Sequence, residues 1–322
     1  MNKRKIISTI LTVCLLSCMI SCNSKDSSIG KKNTLSEEQQ IEIMNKVNGF
    51  TVDNEHTINE LEKVISDNIG KVSDKDKENM IDSYLSALYT TVTDLQEKLS
   101  VLGYDIEDAI KNNKVDINNE KTYKNISDTN ATVRGYLEEL KAKGFTLKFS
   151  DESKFYFVTI DYQSVIDKYG KYLNESYKKL LSFIDYDNKN TTNLSDEKYT
   201  YNVDEIAKRI IMIEEGIKSS KENNYSCIDK WMTNLSSYYE MLLGINHSYF
   251  ISTEYLNNDI YDKYVDIIDK NKDSQLAKVL KSCVSILDES NKKFDDTVRT
   301  KLEDTMNKEI YTDEINKALN NQ

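Results

Sequence analysis

No proline occurs in the 322 residues, and glycine occurs only 9 times. At the usual frequency of about 5%, a chain of this length would carry roughly 16 prolines. Proline ends helices by removing a backbone donor and crowding the preceding turn, so its absence lets helices run long. Sandwiches and barrels need a turn every few residues and are disfavoured. The expected fold is mainly α, a multi-helix bundle or helical array.

Apolar spacing places the helices. Ser36-Glu37-Glu38-Gln39 has the pattern of a capping box. Ile58, Leu61, Ile65 and Ile69 share one face of a following helix. After Ser73, Ile81, Leu85, Leu88, Val92, Leu95, Leu99 and Leu102 recur at spacings of four and three up to Gly103, the mark of a bundle seam. Residues 112–129 lack a stable period and read as a connection. Val133, Tyr136, Leu137 and Leu140 form the next face, ending at Gly144. Helical patterning resumes over 162–169 and 176–184. It continues with Ile206, Ile210, Ile213 and Ile217, then with Ile228, Trp231, Met232, Leu235, Tyr239 and Leu242. Further helices are expected around 253–269, 274–290 and 293–309.

One β signal interrupts this pattern near 145–160. Phe145-Thr146-Leu147-Lys148-Phe149 alternates apolar and polar residues, Ser150–Ser153 supplies turn chemistry, and Phe155–Ile160 is aromatic and β-branched. A small embedded hairpin is expected. It presents Phe145, Leu147 and Phe149 together with either Phe155, Phe157 and Thr159 or their alternates. A lone hairpin is marginal in water, so a helix must cover it.

The N-terminus constrains location. Lys3, Arg4 and Lys5 precede an apolar run from Ile6 to Leu16, and Met19-Ile20-Ser21-Cys22 follows. The run is too short to cross a hydrocarbon core of about 30 Å, and the pattern is that of a lipoprotein signal peptide over 1–21. Cys22 is the expected lipidation site, with Cys18 as the alternative. Polar residues follow Cys22 and suit a tether over 22–34, whereas Cys18 is still followed by apolar residues. The expected body spans 35–311, divisible into two subdomains near 187–201, with a polar tail over 312–322. The expected location is the extracytoplasmic face of the cell membrane, held by acyl chains such as palmitate. Removing residues 1–21, which carry Lys3, Arg4 and Lys5, takes the net charge from −11 to −14. So acidic a chain is poorly suited to nucleic acid or to lying flat on an anionic membrane.

Gly135-Tyr136, Gly144-Phe145-Thr146-Leu147, Phe155–Tyr162, Glu205-Ile206-Ala207-Lys208-Arg209 and Leu243-Gly244-Ile245-Asn246 are the residues of a resemblance. In these stretches the chain resembles a group of uncharacterised extracytoplasmic lipoproteins of Gram-positive bacteria. The resemblance implies a helical body with an embedded hairpin and supplies no activity or catalytic residue.

Residues that could carry chemistry are few. His56 and His247 are the only histidines, and no metal-binding spacing of His or Cys accompanies them. Asp185–Asn190 begins like a calcium loop, but Asn190 replaces the required Gly. Asp269–Asp273 likewise meets Ser274 at that position. Both read as helix connections, and no metal or cofactor is expected. Glu214 and Glu215 are adjacent on a helix, about 100° apart, and cannot share a reacting centre. Asp161 reads first as a helix N-cap and, with Tyr156 and Tyr162, as the best pocket candidate. Trp231 and the Tyr238-Tyr239 pair read as core and rim. Cys227 and Cys283 suffice for one disulfide outside the cell; the alternative is two small buried thiols, which the apolar row around Cys283 suits.

The expected function is that of a lipid-anchored, non-enzymatic binding or structural envelope protein with a protein or ligand partner of unknown identity. A helical surface adhesin or complement-binding lipoprotein is one alternative, which an exposed apolar or Tyr-rich patch would favour. A cryptic hydrolase is another, which converging Asp161, Glu and His side chains would favour.

Overall fold

The computed structural model describes residues 35–50, 55–112, 114–117, 120–126, 130–150, 155–190, 202–245, 251–252 and 255–321. Cys18, Cys22, the tether, Asp151–Ser153 and His247 lie outside the described residues. The fold is mainly α with a small hairpin, and the chain divides between Lys189 and Asn190 into two compact units.

The N-terminal unit contains α1 (Glu37–Asn48), α2 (Glu55–Asn68), α3 (Asp74–Leu102), α4 (Tyr104–Asn112), α5 (Ala131–Ala142), β1 (Phe145–Ser150), β2 (Phe155–Ile160), α6 (Tyr162–Tyr169) and α7 (Glu175–Lys189). The capping box of α1 forms with both of its reciprocal bonds. The longest element is α3, at 29 residues. The Ser73 side chain accepts from the Asp76 N–H at 3.2 Å to start it, and nothing in its sequence breaks it before Gly103 at φ 51°. Along its seam Ile81, Leu85, Leu88, Leu95 and Leu99 are buried, while Val92 and Leu102 are half-buried. It packs against α1, α2, α4 and β2.

Two features of this unit go beyond the sequence expectation. Directly after Gly103, α4 begins a helix of its own and buries Ile106, Ala109 and Ile110 at helical spacing. Within the expected connection, a 3-10 turn over Glu120–Asn125 buries Tyr123, whose hydroxyl donates to the Ile117 carbonyl at 2.6 Å.

The hairpin pairs Phe145 with Ile160, Leu147 with Val158 and Phe149 with Tyr156. Residues directly opposite on antiparallel strands point to one face. Phe145, Leu147, Val158 and Ile160 are therefore buried together, and the inward set on β2 is the alternate one. Phe155 and Phe157 point outward. The edge of β2 is satisfied from α3, whose Gln96 Oε1 accepts from the Val158 N–H at 2.9 Å.

The C-terminal unit contains α8 (Val203–Glu222), α9 (Ile228–Leu243), β3 (Ile251–Ser252), β4 (Tyr255–Leu256), α10 (Asn258–Lys270), α11 (Gln275–Glu289), α12 (Asp296–Ile310) and α13 (Asp313–Asn320). The two-residue ladder of β3 and β4 is a second β element that the sequence did not announce. The expected polar tail is corrected: residues 313–320 are helical, capped by Thr312 Oγ1 on the Ile315 N–H at 3.4 Å. Ile315 and Ala318, three apart, give this short helix an apolar stripe to bury.

Close approach of α8 and α9 rests on Gly216. A Cβ built there would lie 2.3 Å from Trp231 Cζ2. A mid-helix glycine costs about 1 kcal/mol relative to alanine, and the fully buried indole occupies the space this leaves. Arg209 is also fully buried. It ion-pairs with Glu205 at 2.7 Å, donates to the Asn190 carbonyl and stacks over Tyr238 at 5.9 Å.

Two substitutions test this packing. Leu88→Ala should lower stability by about 2–5 kcal/mol in urea titration, because the side chain is wholly buried. An unchanged midpoint would contradict the seam. Gly216→Ala should destabilise by about 1–3 kcal/mol despite the better helix propensity of alanine, since the added methyl overpacks against Trp231. A gain in stability would show that the two helices do not approach as described.

Candidate functional site

Asp161 ends β2 and starts α6. Its backbone N–H donates to the Gly144 carbonyl at 2.8 Å, which closes the base of the hairpin. Its side chain accepts from the Ser164 N–H at 3.2 Å, the N-cap bond expected of it, and ion-pairs with Lys141 of α5. The carboxylate is buried, and the lysine supplies the partner that a buried charge requires. Asp161 is thus a junction of α5, β2 and α6.

The other two pocket candidates have partners of their own. Tyr156 stacks edge-on against Phe149 at 5.1 Å, and burial followed by the nearby Glu107 raises its pKa. Tyr162 hydrogen-bonds Asn188, and burial pushes its hydroxyl up to about 12. Each ring thus has a bonded or stacked neighbour of its own.

A more unusual group lies in the C-terminal unit. Ser274 caps α11 by accepting from the Ala277 N–H at 3.0 Å. The two preceding amides have no intrahelical partner. Glu214 of α8 takes both, accepting from the Gln275 N–H at 3.2 Å and from the Leu276 N–H, and its other oxygen meets the Tyr239 hydroxyl at 3.4 Å. One carboxylate therefore ties α8, α9 and the start of α11 together. Burial outweighs these stabilising bonds and pushes its pKa up to about 7. Burial, then the Glu214 charge, also drives Tyr239 upward, so that phenol stays protonated. Sequence reasoning set Glu214 aside because it weighed the residue only with Glu215. The two point apart as expected, Glu215 to solvent and Glu214 into the packing. The missed signal was its place on the Ile206–Ile213 side of an amphipathic helix.

Cys227 and Cys283 are both buried and are not joined in a disulfide, in keeping with the reading of two small buried thiols. Cys283 sits on the apolar face of α11, where burial and then Glu309 push its pKa up to about 12, leaving it an unreactive thiol. Cys227 heads α9 in the left-handed region at φ 48°.

The two runs read as helix connections fall differently: the first lies mostly within a helix, and the second runs from the end of one into the turn that follows it. Asp185 and Asp187 lie inside α7, with Asp185 bonded to Lys189 at 2.7 Å, and Asp269 lies in the last turn of α10. Among the described residues, no group of three or more His, Cys, Asp or Glu is arranged to hold a metal ion. An open groove of about 340 Å³ lies between Asn224 and Tyr225 of the α8–α9 turn and Glu314, Lys317, Ala318 and Asn321 of the C-terminal helix. Tyr225 and Lys221 both reach Glu314, at 2.6 and 2.9 Å, and fasten the turn to α13.

Known protein families, characterised proteins and solved structures offer no match to this chain.

The Glu214 joint has a pH signature. Its pKa is about 7 in the folded chain against 4.5 unfolded, so the folded state binds more protons between those values. The stability it contributes is complete below about pH 4.5 and is lost as pH rises through about 7, by up to roughly 3 kcal/mol. Glu214→Gln keeps an acceptor oxygen and removes the charge. Relative to wild type, its urea midpoint should therefore rise on going from about pH 5 to about pH 8. Parallel behaviour of the two proteins would show that Glu214 titrates as an ordinary carboxylate.

Proposed function

We propose that this chain is an exported lipoprotein, held by acyl chains on Cys22 to the extracytoplasmic face of the membrane. In this reading its helical body is a non-enzymatic binding or structural component of the envelope. The observation that carries the proposal is the N-terminal run: a basic start at Lys3–Lys5, a short apolar stretch and the box ending at Cys22. Among the described residues, no helix is long and apolar enough to cross a membrane. The carboxylates best placed for chemistry are committed to packing: Asp161 to Ser164 and Lys141, Glu214 to the amides of α11. A surface adhesin is the second reading, favoured by the exposed rings of Tyr104 and Phe155.

Cys22→Ala should move the protein from the membrane fraction to the soluble fraction and abolish incorporation of labelled palmitate. The body should stay folded, because the tether precedes α1. A variant still fully anchored and labelled would reject Cys22 and turn attention to Cys18.

A further inference from the structure

We propose that an aromatic face of the N-terminal unit, formed by Tyr104, Phe155 and Phe157, rests on the interfacial zone of the bilayer to which the chain is tethered. The inference rests on the lipoprotein reading above. Tyr104 is 75% exposed, Phe155 54% and Phe157 42%. The rings of Tyr104 and Phe155 lie 6.3 Å apart, and Phe155 and Phe157 are two residues apart on the outward face of β2. Val101, 87% exposed, stands on the last turn of α3 just before Tyr104. Single exposed apolar residues are ordinary, but several rings on one face form a patch that calls for a partner.

Three arguments select the bilayer. The first is reach. The tether enters the unit where the Leu35 N–H meets the Lys71 carbonyl, beside the N-terminus of α3, and the patch lies beyond the other end of that helix. At 1.5 Å per residue, the 29 residues of α3 span about 43 Å. A chain as long as that from Cys22 to Leu35 reaches at most about 45 Å, enough for the patch to meet the membrane even with α3 upright. The second is chemistry. Rings that are apolar in body, one of them with a polar tip, suit the interface between headgroups and acyl chains. The third is charge. A mature chain of net −14 gains nothing from anionic headgroups, so the contact would rest on its rings and should hold on zwitterionic lipid.

Tryptophan fluorescence on vesicles tests this. Trp231 is the only tryptophan and is 1% exposed, so it gives a dark baseline towards lipid quenchers. The full lipidated chain carrying Tyr104→Trp is reconstituted on phosphatidylcholine vesicles with and without bromine on the acyl chains. Brominated lipid should quench this protein several-fold more than the wild type. Adding Phe155→Ser and Phe157→Ser should return the quenching towards the wild-type level. Protein that floats with the vesicles yet shows no more quenching than wild type would overturn the patch proposal alone, as would be seen if the face took a protein partner. A chain that does not float at all would overturn the anchor and the patch together.

Discussion

Burial of one side of α3 is the interaction on which the N-terminal unit depends. A helix of 29 residues with no break exposes a long apolar stripe, and each Leu or Ile it hides contributes about 1.5–3 kcal/mol. The stripe meets α1 and α2 near its start and β2 near its end. The same helix also serves the sheet, because Gln96 accepts from an edge amide that lacks a strand partner. A two-stranded hairpin is marginal alone, so its order follows from α3 and from the Asp161 junction at its base.

The C-terminal unit solves the same problem with shorter helices and closer contacts. Gly216 lets α8 approach the Trp231 indole, and buried Arg209 reaches back to the Asn190 carbonyl. Glu214 caps α11 from another helix. A carboxylate placed there gains from the free amides but loses hydration, and the balance leaves it titrating near neutrality. Its chemistry is that of a joint, since its oxygens are already occupied by the helix start and by Tyr239.

Much of this fold was legible in the sequence because long periodic stripes leave little choice. The seam from Ile81 to Leu99, the capping box at Ser36, the hairpin and the Asp161 cap all follow from spacing and side-chain chemistry. What escaped had short or non-local causes. With only Ile106, Ala109 and Ile110 to declare it, α4 is too short for its period to stand out. The same holds for α13, whose stripe is Ile315 and Ala318. The choice of Val158 over Phe157 as the inward residue depends on strand register, which alternation alone leaves open by one residue. The role of Glu214 depends on α11, distant in the chain, and no local pattern contains it. The partners of the pocket candidates are likewise non-local: Tyr156, Asp161 and Tyr162 are near in sequence, but they meet Phe149, Lys141 and Asn188 respectively.

Amide hydrogen exchange on the mature chain tests the central claim most directly, because exchange from a packed helix requires the unit around it to open. If α3 organises the N-terminal unit, the amides from Leu85 to Leu99 should be the slowest to exchange there, with the hairpin strands next. Amides of α3 that exchange as fast as those of the short exposed turns, while the hairpin stays protected, would contradict the account.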